Sequence, residues 1–182
     1  AELYEGVDDF NKDLELRFFW LFKAAEQGDL EASYKLALAY LSGQGVEVDR
    51  NQAIKWFEKV AAKDYEDAAW RLVQLINLEK NPESFEAYGK YLKLAADKDN
   101  PDAAVLYAEF IMKNELDDTS FLIVVEYLEK AIERENAEAM FQMAALLSNK
   151  DLDIFEPNKS LYLYTQAARL GYLDAQLLLG SI

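Results

Sequence analysis

Apolar residues recur at spacings of three and four along most of the chain, which places them on one face of an α-helix. The first helix is predicted from Asn11 to Gly28, because glycine accepts the left-handed backbone that ends a helix. Asp29 and Asp49 stand where short side-chain acceptors cap the next two helices. Residues 1–10 carry no clear period and are expected to form a loose acidic lead-in. The pattern predicts an all-α fold.

The helical pattern repeats every 35 or 36 residues, which is the period of an array of similar units. Each unit has a small residue at one position of its first helix and a large apolar residue four positions later. Only a small side chain fits where two helices joined by a short turn cross closely. Each helix pair exposes an apolar face that only its neighbours cover, so the units must stack. The small residues are Ala32, Ala68, Ala103, Ala139 and Ala175.

The best-preserved unit resembles the Sel1-like repeat, a relative of the tetratricopeptide repeat with a longer, glycine-marked hairpin loop. Later units depart from the family pattern in that loop, at 77–82, 113–119 and 148–158. The matching positions are Ala32, Leu36, Ala37 and Tyr40, the loop Gly43-Gln44-Gly45-Val46, and Asp49, Ala53, Trp56 and Lys59-Val60-Ala61.

The resemblance covers residues 11–182 and implies a single domain, a right-handed superhelix (α-solenoid) of antiparallel helix pairs. A half unit comes first, four complete units follow, and a terminal helix covers the last pair. The predicted ranges are 11–28, 29–64, 65–99, 100–135, 136–171 and 172–182.

Histidine and cysteine are both absent from the sequence. Their absence excludes Ser-His-Asp and Cys-His catalysis, disulfides and thiolate zinc sites. The glycines at 43 and 45 lack the preceding strand and the lysine of a phosphate-binding loop, so they are interpreted as a hinge. We expect no catalytic residue and no cofactor. The alternative enzyme would be a carboxylate-based hydrolase.

One acidic loop, Asp151–Glu156, has the spaced carboxylates of a calcium loop. It lacks the glycine at the sixth position and part of the oxygen ligand set. A solvated hairpin loop is the preferred interpretation, so no metal site is predicted.

The formal net charge is −15 and the sequence pI is about 4.4. A field of that sign repels nucleic acid and anionic lipid and favours a protein partner with a basic surface. Solubility alone is the alternative explanation. No apolar run reaches the ~20 residues that span a membrane, so no membrane insertion is expected.

The chain opens with Ala-Glu-Leu instead of methionine. A mature N-terminus left by signal-peptide removal would place the protein in the periplasm or outside the cell. The alternative is that the sequence was trimmed, and the alternative location is the cytoplasm.

Two columns of residues in the first helices form the candidate binding surface. An acid precedes each small residue, and a large or apolar side chain follows it by two positions. Three residues separate the columns, so they share a helix face, expected to line the concave side. The carboxylate column is Glu31, Asp67, Asp102, Glu138 and Asp174; the apolar column is Tyr34, Trp70, Val105, Phe141 and Leu177; Glu109 belongs to a varied column four residues further on.

The columns have a structural interpretation as well. An acid in the first helical turn gains about 0.3–1 kcal/mol from the helix dipole, and the apolar column would pack on the next unit. The functional interpretation is a groove for a basic peptide, helix or loop.

The resemblance implies a non-enzymatic protein-binding function. Relatives of this kind include adaptors, signalling components and bacterial immunity proteins that block a toxic effector. We expect most specifically an immunity or inhibitor protein, and the alternative is a scaffold or adaptor in signalling or cell-envelope assembly.

Overall fold

The computed structural model describes residues 2–63, 65, 67–79, 84–114 and 118–180, and within these ranges the chain is helical with no strand. The all-α prediction is confirmed. The ten helices of these ranges are α1 Glu2–Glu26, α2 Leu30–Ser42, α3 Arg50–Ala61, α4 Ala68–Glu79, α5 Ser84–Ala96, α6 Pro101–Lys113, α7 Asp118–Glu133, α8 Ala137–Ser148, α9 Pro157–Arg169 and α10 Leu173–Gly180.

Short polar side chains begin the helices at the predicted junctions. The Asp29 carboxylate accepts a hydrogen bond of 2.7 Å from the Ala32 amide. Asn100 and Asn136 repeat this contact two and three repeats later, each at 2.9 Å. Each contact satisfies one of the amides that a helix leaves without a partner at its start.

A left-handed residue precedes these junctions and turns the chain from one helix into the next. Gly28 and Gly171 both have φ of 91°, as the sequence suggests for glycine. At the equivalent position Asp99 has φ of 60° and Glu135 has φ of 58°. These two acids adopt a backbone that costs a non-glycine residue roughly 1–2 kcal/mol, and the sequence did not indicate it.

The small residue of each first helix is buried, as predicted. The large residues four positions later are also buried at Leu36, Leu72 and Met143. Close helix crossing therefore explains the period. The buried small residues are Ala32, Ala68, Ala103, Ala139 and Ala175.

Helix α1 is longer than predicted, because it begins at Glu2 instead of Asn11. The expected lead-in over residues 1–10 is wrong for residues 2–10. The sequence does hold the reason: Leu3, Val7 and Phe10 continue the helical spacing toward Leu14. Extending an existing helix costs little once its first turn is formed.

The chain divides into two compact units, Ala1–Tyr88 and Gly89–Ile182. A single domain over residues 11–182 stays a prediction, and each unit is described by itself below.

In the first unit, helix α2 packs between α1 and α3, and α3 packs on α4. The loop between α2 and α3 contains two left-handed glycines, Gly43 and Gly45. A Cβ atom built on Gly45 would lie 2.1 Å from the carbonyl oxygen of Leu14 in α1. Residue 45 is therefore glycine because the loop backbone touches the α1 backbone there.

In the second unit, α6 pairs with α7 and α8 pairs with α9, while α7 contacts α8 and α9 contacts α10. The α8–α9 pair is antiparallel, since the Ser160 hydroxyl near the start of α9 donates to the Ala144 carbonyl near the end of α8, at 2.7 Å. Helices α6, α8 and α10 are therefore the first helices of three successive repeats.

Candidate functional site

Four of the predicted carboxylates come together in the second unit. Glu138, in the first turn of α8, interacts electrostatically with Glu109 and Asp102 of α6 and with Asp174 of α10. We call these four residues the acidic cluster. It joins three successive first helices, which the sequence period predicts, although the period alone gives no distance between them.

Burial and mutual repulsion both act on the cluster. Burial raises the pKa of Glu138, and the charges of Glu109, Asp102 and Asp174 raise it further. The pKa of Tyr172 is raised by burial and by three of the same carboxylates. Like charges close together disfavour ionisation, so the folded chain holds the ionised Glu138 beside these acids at a free-energy cost.

Amide side chains of α8 and its junction hold two members of the cluster in place. Asn136 caps α8 with its oxygen and donates from Nδ2 to Asp102 at 3.0 Å. Gln142 donates from Nε2 to Glu109 at 2.7 Å. Both donors are neutral, so they orient the carboxylates without cancelling their charge.

Cations contribute little to the cluster within the part of the chain that the structure describes. Lys113 lies 3.3 Å from Glu109, but its side chain is largely exposed. Neither Glu138 nor Asp174 forms an ion pair with a lysine or arginine of the described ranges. One exposed lysine beside four carboxylates leaves most of the cluster's negative charge without a paired cation among the described residues.

The capping interpretation of the carboxylate column is only partly supported by the geometry. The side-chain caps come from Asp29, Asn100 and Asn136, two positions before the acids of the column. The acids lie in the first turn and gain from the helix dipole, but none of the described caps uses them.

The described residues of the first unit form no such cluster. Glu31 is exposed and forms an ion pair with Lys35 one turn along α2. Asp67 is exposed, and Trp70 is half-buried. The site predicted from the sequence therefore concentrates in the second unit.

Three of the five residues of the apolar column pack within the fold, which corrects the predicted ladder beside the acids. Of the other two, Trp70 is half-buried and Leu177 is 62% exposed. The Tyr34 ring lies edge-on to Phe57, with centroids 5.3 Å apart, and Phe141 lies edge-on to Tyr164 at 5.2 Å. Both partners belong to the second helix of the same pair. Val105 is 1% exposed and is not available to a partner. Spacing shows which residues share a helix face, but not which neighbouring helix covers that face.

Two contributors were missed by sequence reasoning. Gln142 orients Glu109, and Tyr172 places its ring 5.1 Å from Phe141. Tyr172 occupies the junction position that is asparagine at Asn100 and Asn136. A tyrosine in place of asparagine there could have indicated a different role from the sequence. No feature of the sequence distinguishes Gln142.

The pKa of Glu138 leads to a prediction about stability. A carboxyl with a raised folded pKa binds more protons when folded, so its contribution to stability falls as pH rises from the ordinary value of 4.5 through the raised folded value. Glu138→Gln should therefore raise the free energy of unfolding near neutral pH, by less than about 1 kcal/mol after solvent screening. Urea denaturation at several pH values measures the difference.

Glu129→Gln is the matched control, because Glu129 is exposed on α7 of the same unit. It should leave the pH profile of the wild type unchanged. A Glu138→Gln profile parallel to that of the wild type would contradict the electrostatic account.

The Asp151–Glu156 loop is a turn between α8 and α9 in which the Asn149 side chain accepts from the Asp151 amide at 3.0 Å. Among the described residues, no three acidic side chains gather in an arrangement that holds a metal ion. None of the described helices combines the length and apolar character that crossing a membrane requires.

An open groove of about 860 Å³ lies between α1 and α3 of the first unit. Its wall includes Phe22 and Trp56, whose rings meet edge-on, and Lys59 lies over the Trp56 ring at 3.7 Å. No member of the acidic cluster lines this groove.

Two solved structures share this fold. A protective antigen of uropathogenic Escherichia coli, c5321, superposes with a TM-score of 0.73 at 22% identity, over 90% of this chain and 36% of its own. A Sel1 repeat protein from Oxalobacter formigenes superposes with a TM-score of 0.68 at 27% identity, over 94% of this chain and 70% of its own.

A curated relative with similarity along the chain is the chitin synthase regulator SKT5 of Saccharomyces cerevisiae. It is 28% identical over 93% of this chain, which spans 27% of its length. An uncharacterized protein of Neisseria meningitidis, NMB1327, is 27% identical over 90% of this chain, which spans 34% of its length. The chain thus spans about a third or less of the curated relatives it matches.

The model of the Sel1 repeat matches residues 3–29, 30–65 and 137–172, which is more than half of the chain. The first match begins well before Asn11, in agreement with the long α1. The units 65–99 and 100–135 fall outside the matches, whereas the unit 136–171 is matched although its hairpin loop also departs from the family pattern. The chain belongs to the Sel1 repeat family, whose fold typically serves as a non-catalytic scaffold for protein interactions.

Proposed function

We propose that this chain is a non-enzymatic binding module that receives a protein with a basic surface on the acidic cluster of its second unit. The observation that carries the proposal is the convergence of Asp102, Glu109, Glu138 and Asp174 from the first helices of three successive repeats. The fold holds these charges together although their repulsion lowers its stability. A cationic side chain placed among them removes that repulsion.

The chemistry of the surface favours arginine or lysine from a partner. Glu109 is already oriented by Gln142 and Asp102 by Asn136, so less side-chain entropy is lost when a cation binds. The net charge of −15 adds long-range attraction to a basic partner. Such steering raises association rates by roughly 10–10³-fold at low salt.

The most specific role that we propose is a bacterial immunity or inhibitor protein that neutralises a toxic effector. Effectors that act on nucleic acid or phospholipid present a basic face, and an acidic binder that covers this face blocks their action. The alternative role is a scaffold or adaptor in signalling or cell-envelope assembly. A periplasmic or secreted location fits the immunity role and belongs to this proposal.

The experiment compares affinity capture from the source organism by the wild type and by Glu109→Gln/Glu138→Gln/Asp174→Asn. The wild type should retain a basic protein at low salt and lose most of it at high salt, because ion pairs at an exposed surface are screened. The triple variant should retain at least ten times less of the same protein.

A control of equal charge change is Glu129→Gln/Glu133→Gln/Asp153→Asn, whose three acids are exposed in the same unit. Equal loss in both variants would show a general charge effect and refute a role for the cluster. The purified partner then decides between the two roles: an immunity protein abolishes the partner's toxic activity on binding, and a scaffold leaves it intact.

A further inference from the structure

The groove between α1 and α3 presents positive charge, although the chain as a whole is strongly negative. Lys55 and Lys59 of α3 line it, and both side chains are exposed. Among the described residues, no carboxylate lies within ion-pair distance of either lysine. The groove therefore holds two ammonium groups that no ion pair neutralises.

The stability of α3 explains only one of these lysines. Lys59 lies in the last turn of the helix, where the helix dipole favours a cation. Lys55 lies one turn earlier on the same face, where two like charges repel each other. An anionic group bound beside both lysines removes this repulsion.

An aromatic surface lies next to the two charges. The rings of Phe22 and Trp56 meet edge-on, with centroids 6.1 Å apart. The Lys59 ammonium lies 3.7 Å from the centroid of the Trp56 ring, which attracts it through a cation–π contact. Phe22 is half-buried, so part of its ring is open to a ligand. The groove thus offers an apolar contact and two cations side by side.

The two acids that also line the groove do not neutralise the lysines. Glu26, on α1, forms an ion pair with Lys23 at 3.3 Å. Glu58 lies about 160° from Trp56 around α3, because successive residues turn by about 100°. Both lysines lie on the arc between Glu58 and Trp56, so they separate this acid from the aromatic surface.

The spacing of the lysines indicates the form of a matching ligand. Four residues of α-helix rise by about 6 Å, which is the separation of Lys55 and Lys59 along the axis. In an extended peptide, side chains two residues apart share a face and are about 6.5–7 Å apart. Two carboxylates at that spacing match the two lysines. The side chain between them points the opposite way, toward Phe22 on α1.

We propose that this groove binds an extended acidic segment of a second protein, in which one apolar residue stands between two acidic residues. The carboxylates pair with Lys55 and Lys59, and the apolar side chain contacts Phe22. The volume of about 860 Å³ is within the range of roughly 300–1,000 Å³ of ligand-binding clefts. A net charge of −15 repels nucleic acid and anionic membranes, which carry many charges, so a segment with two carboxylates is favoured.

The test is isothermal titration calorimetry of the 182-residue chain with short synthetic peptides. The central residues of the first peptide are Glu-Phe-Glu, flanked by glycine and serine. The wild type should bind it at least about ten times more tightly than the matched peptides with Gln-Phe-Gln or Glu-Ser-Glu at the centre. No binding of the first peptide up to about 1 mM would overturn the proposal.

Lys55→Gln/Lys59→Gln should weaken binding of the Glu-Phe-Glu peptide at least about tenfold. Arg17→Gln/Arg71→Gln is the matched control, because both arginines are exposed in the first unit and neither lines the groove. It makes the same change of charge and should keep the affinity of the wild type. All four side chains are exposed, so melting should stay within a few degrees. Equal weakening in the two variants would show a general charge effect and refute the groove as the site.

A further variant separates this site from the acidic cluster. Glu109→Gln/Glu138→Gln/Asp174→Asn should bind the peptide as the wild type does, since none of its substitutions lies in the groove. Loss of peptide binding in this variant would contradict the proposed position. The class of ligand is tested with phosphatidylserine vesicles and a single-stranded oligonucleotide. If either bound the wild type through the two lysines and the peptide did not, the acidic segment would be the wrong ligand.

Discussion

Replacing Ala139 by glutamate should lower the free energy of unfolding by at least about 3 kcal/mol. Ala139 is fully buried where α8 crosses its neighbours, and its amide is the one capped by Asn136. The larger side chain has no space, and its charge has no buried cation. Urea denaturation followed by circular dichroism measures the change.

Ala145→Glu is the control in the same helix, since Ala145 is exposed. It adds the same charge and has the same helix propensity, and the expected change is within about 0.5 kcal/mol. Similar denaturation midpoints for the two variants would mean that the small-residue column does not mark close helix crossings.

Replacing Gly45 by alanine should cost about 3 kcal/mol or more. Two effects add at this position: φ of 72° is unfavourable for alanine, and the new Cβ meets the backbone of Leu14 at 2.1 Å. Backbone atoms cannot rotate away as a side chain can, so α1 or the loop must move. The melting temperature should fall by roughly 2–4 °C for each kcal/mol.

Gly28→Ala separates the two effects. Gly28 has φ of 91°, but a Cβ there meets nothing within 4 Å. Its expected cost is only the left-handed strain, about 1–2 kcal/mol. If Gly28→Ala were as destabilising as Gly45→Ala, the contact between the loop and α1 would contribute nothing.

Much of this fold could be predicted because short-range signals in the sequence determine the helix starts and the helix crossings. The caps at Asp29, Asn100 and Asn136 follow from side chains that reach the backbone three residues away. The small-residue column follows from a repeat spacing that occurs four times between five equivalent alanines. The caps are local and the spacing is periodic, so a single sequence suffices to find both.

Contacts between elements were predicted less well. The spacing placed Tyr34 and Phe141 beside the acids, yet each packs on a ring 23 residues later in the chain. The sequence interpretation of Gly45 as a hinge was incomplete for the same reason, since the constraint comes from Leu14 of another helix. Neither the amino-acid composition nor the repeat period indicates which residues of different helices lie in contact.

The candidate site was predicted in part. The carboxylates of the second unit were identified from their column, and Glu109 from a neighbouring one. Their convergence depends on how α6, α8 and α10 follow one another, and the orienting role of Gln142 depends on a contact across two repeats. The left-handed turns at Asp99 and Glu135 could not be predicted from the sequence, because acidic residues stand where glycine is expected.

The raised pKa of Glu138 makes the acidic cluster a site where protons and cationic side chains compete. A proton bound at Glu138 relieves the same repulsion that a lysine or arginine relieves, so the two ligands are linked. Binding of the proposed basic partner should therefore weaken as the pH falls through the raised pKa of Glu138, because a proton then occupies the position that a lysine or arginine would neutralise.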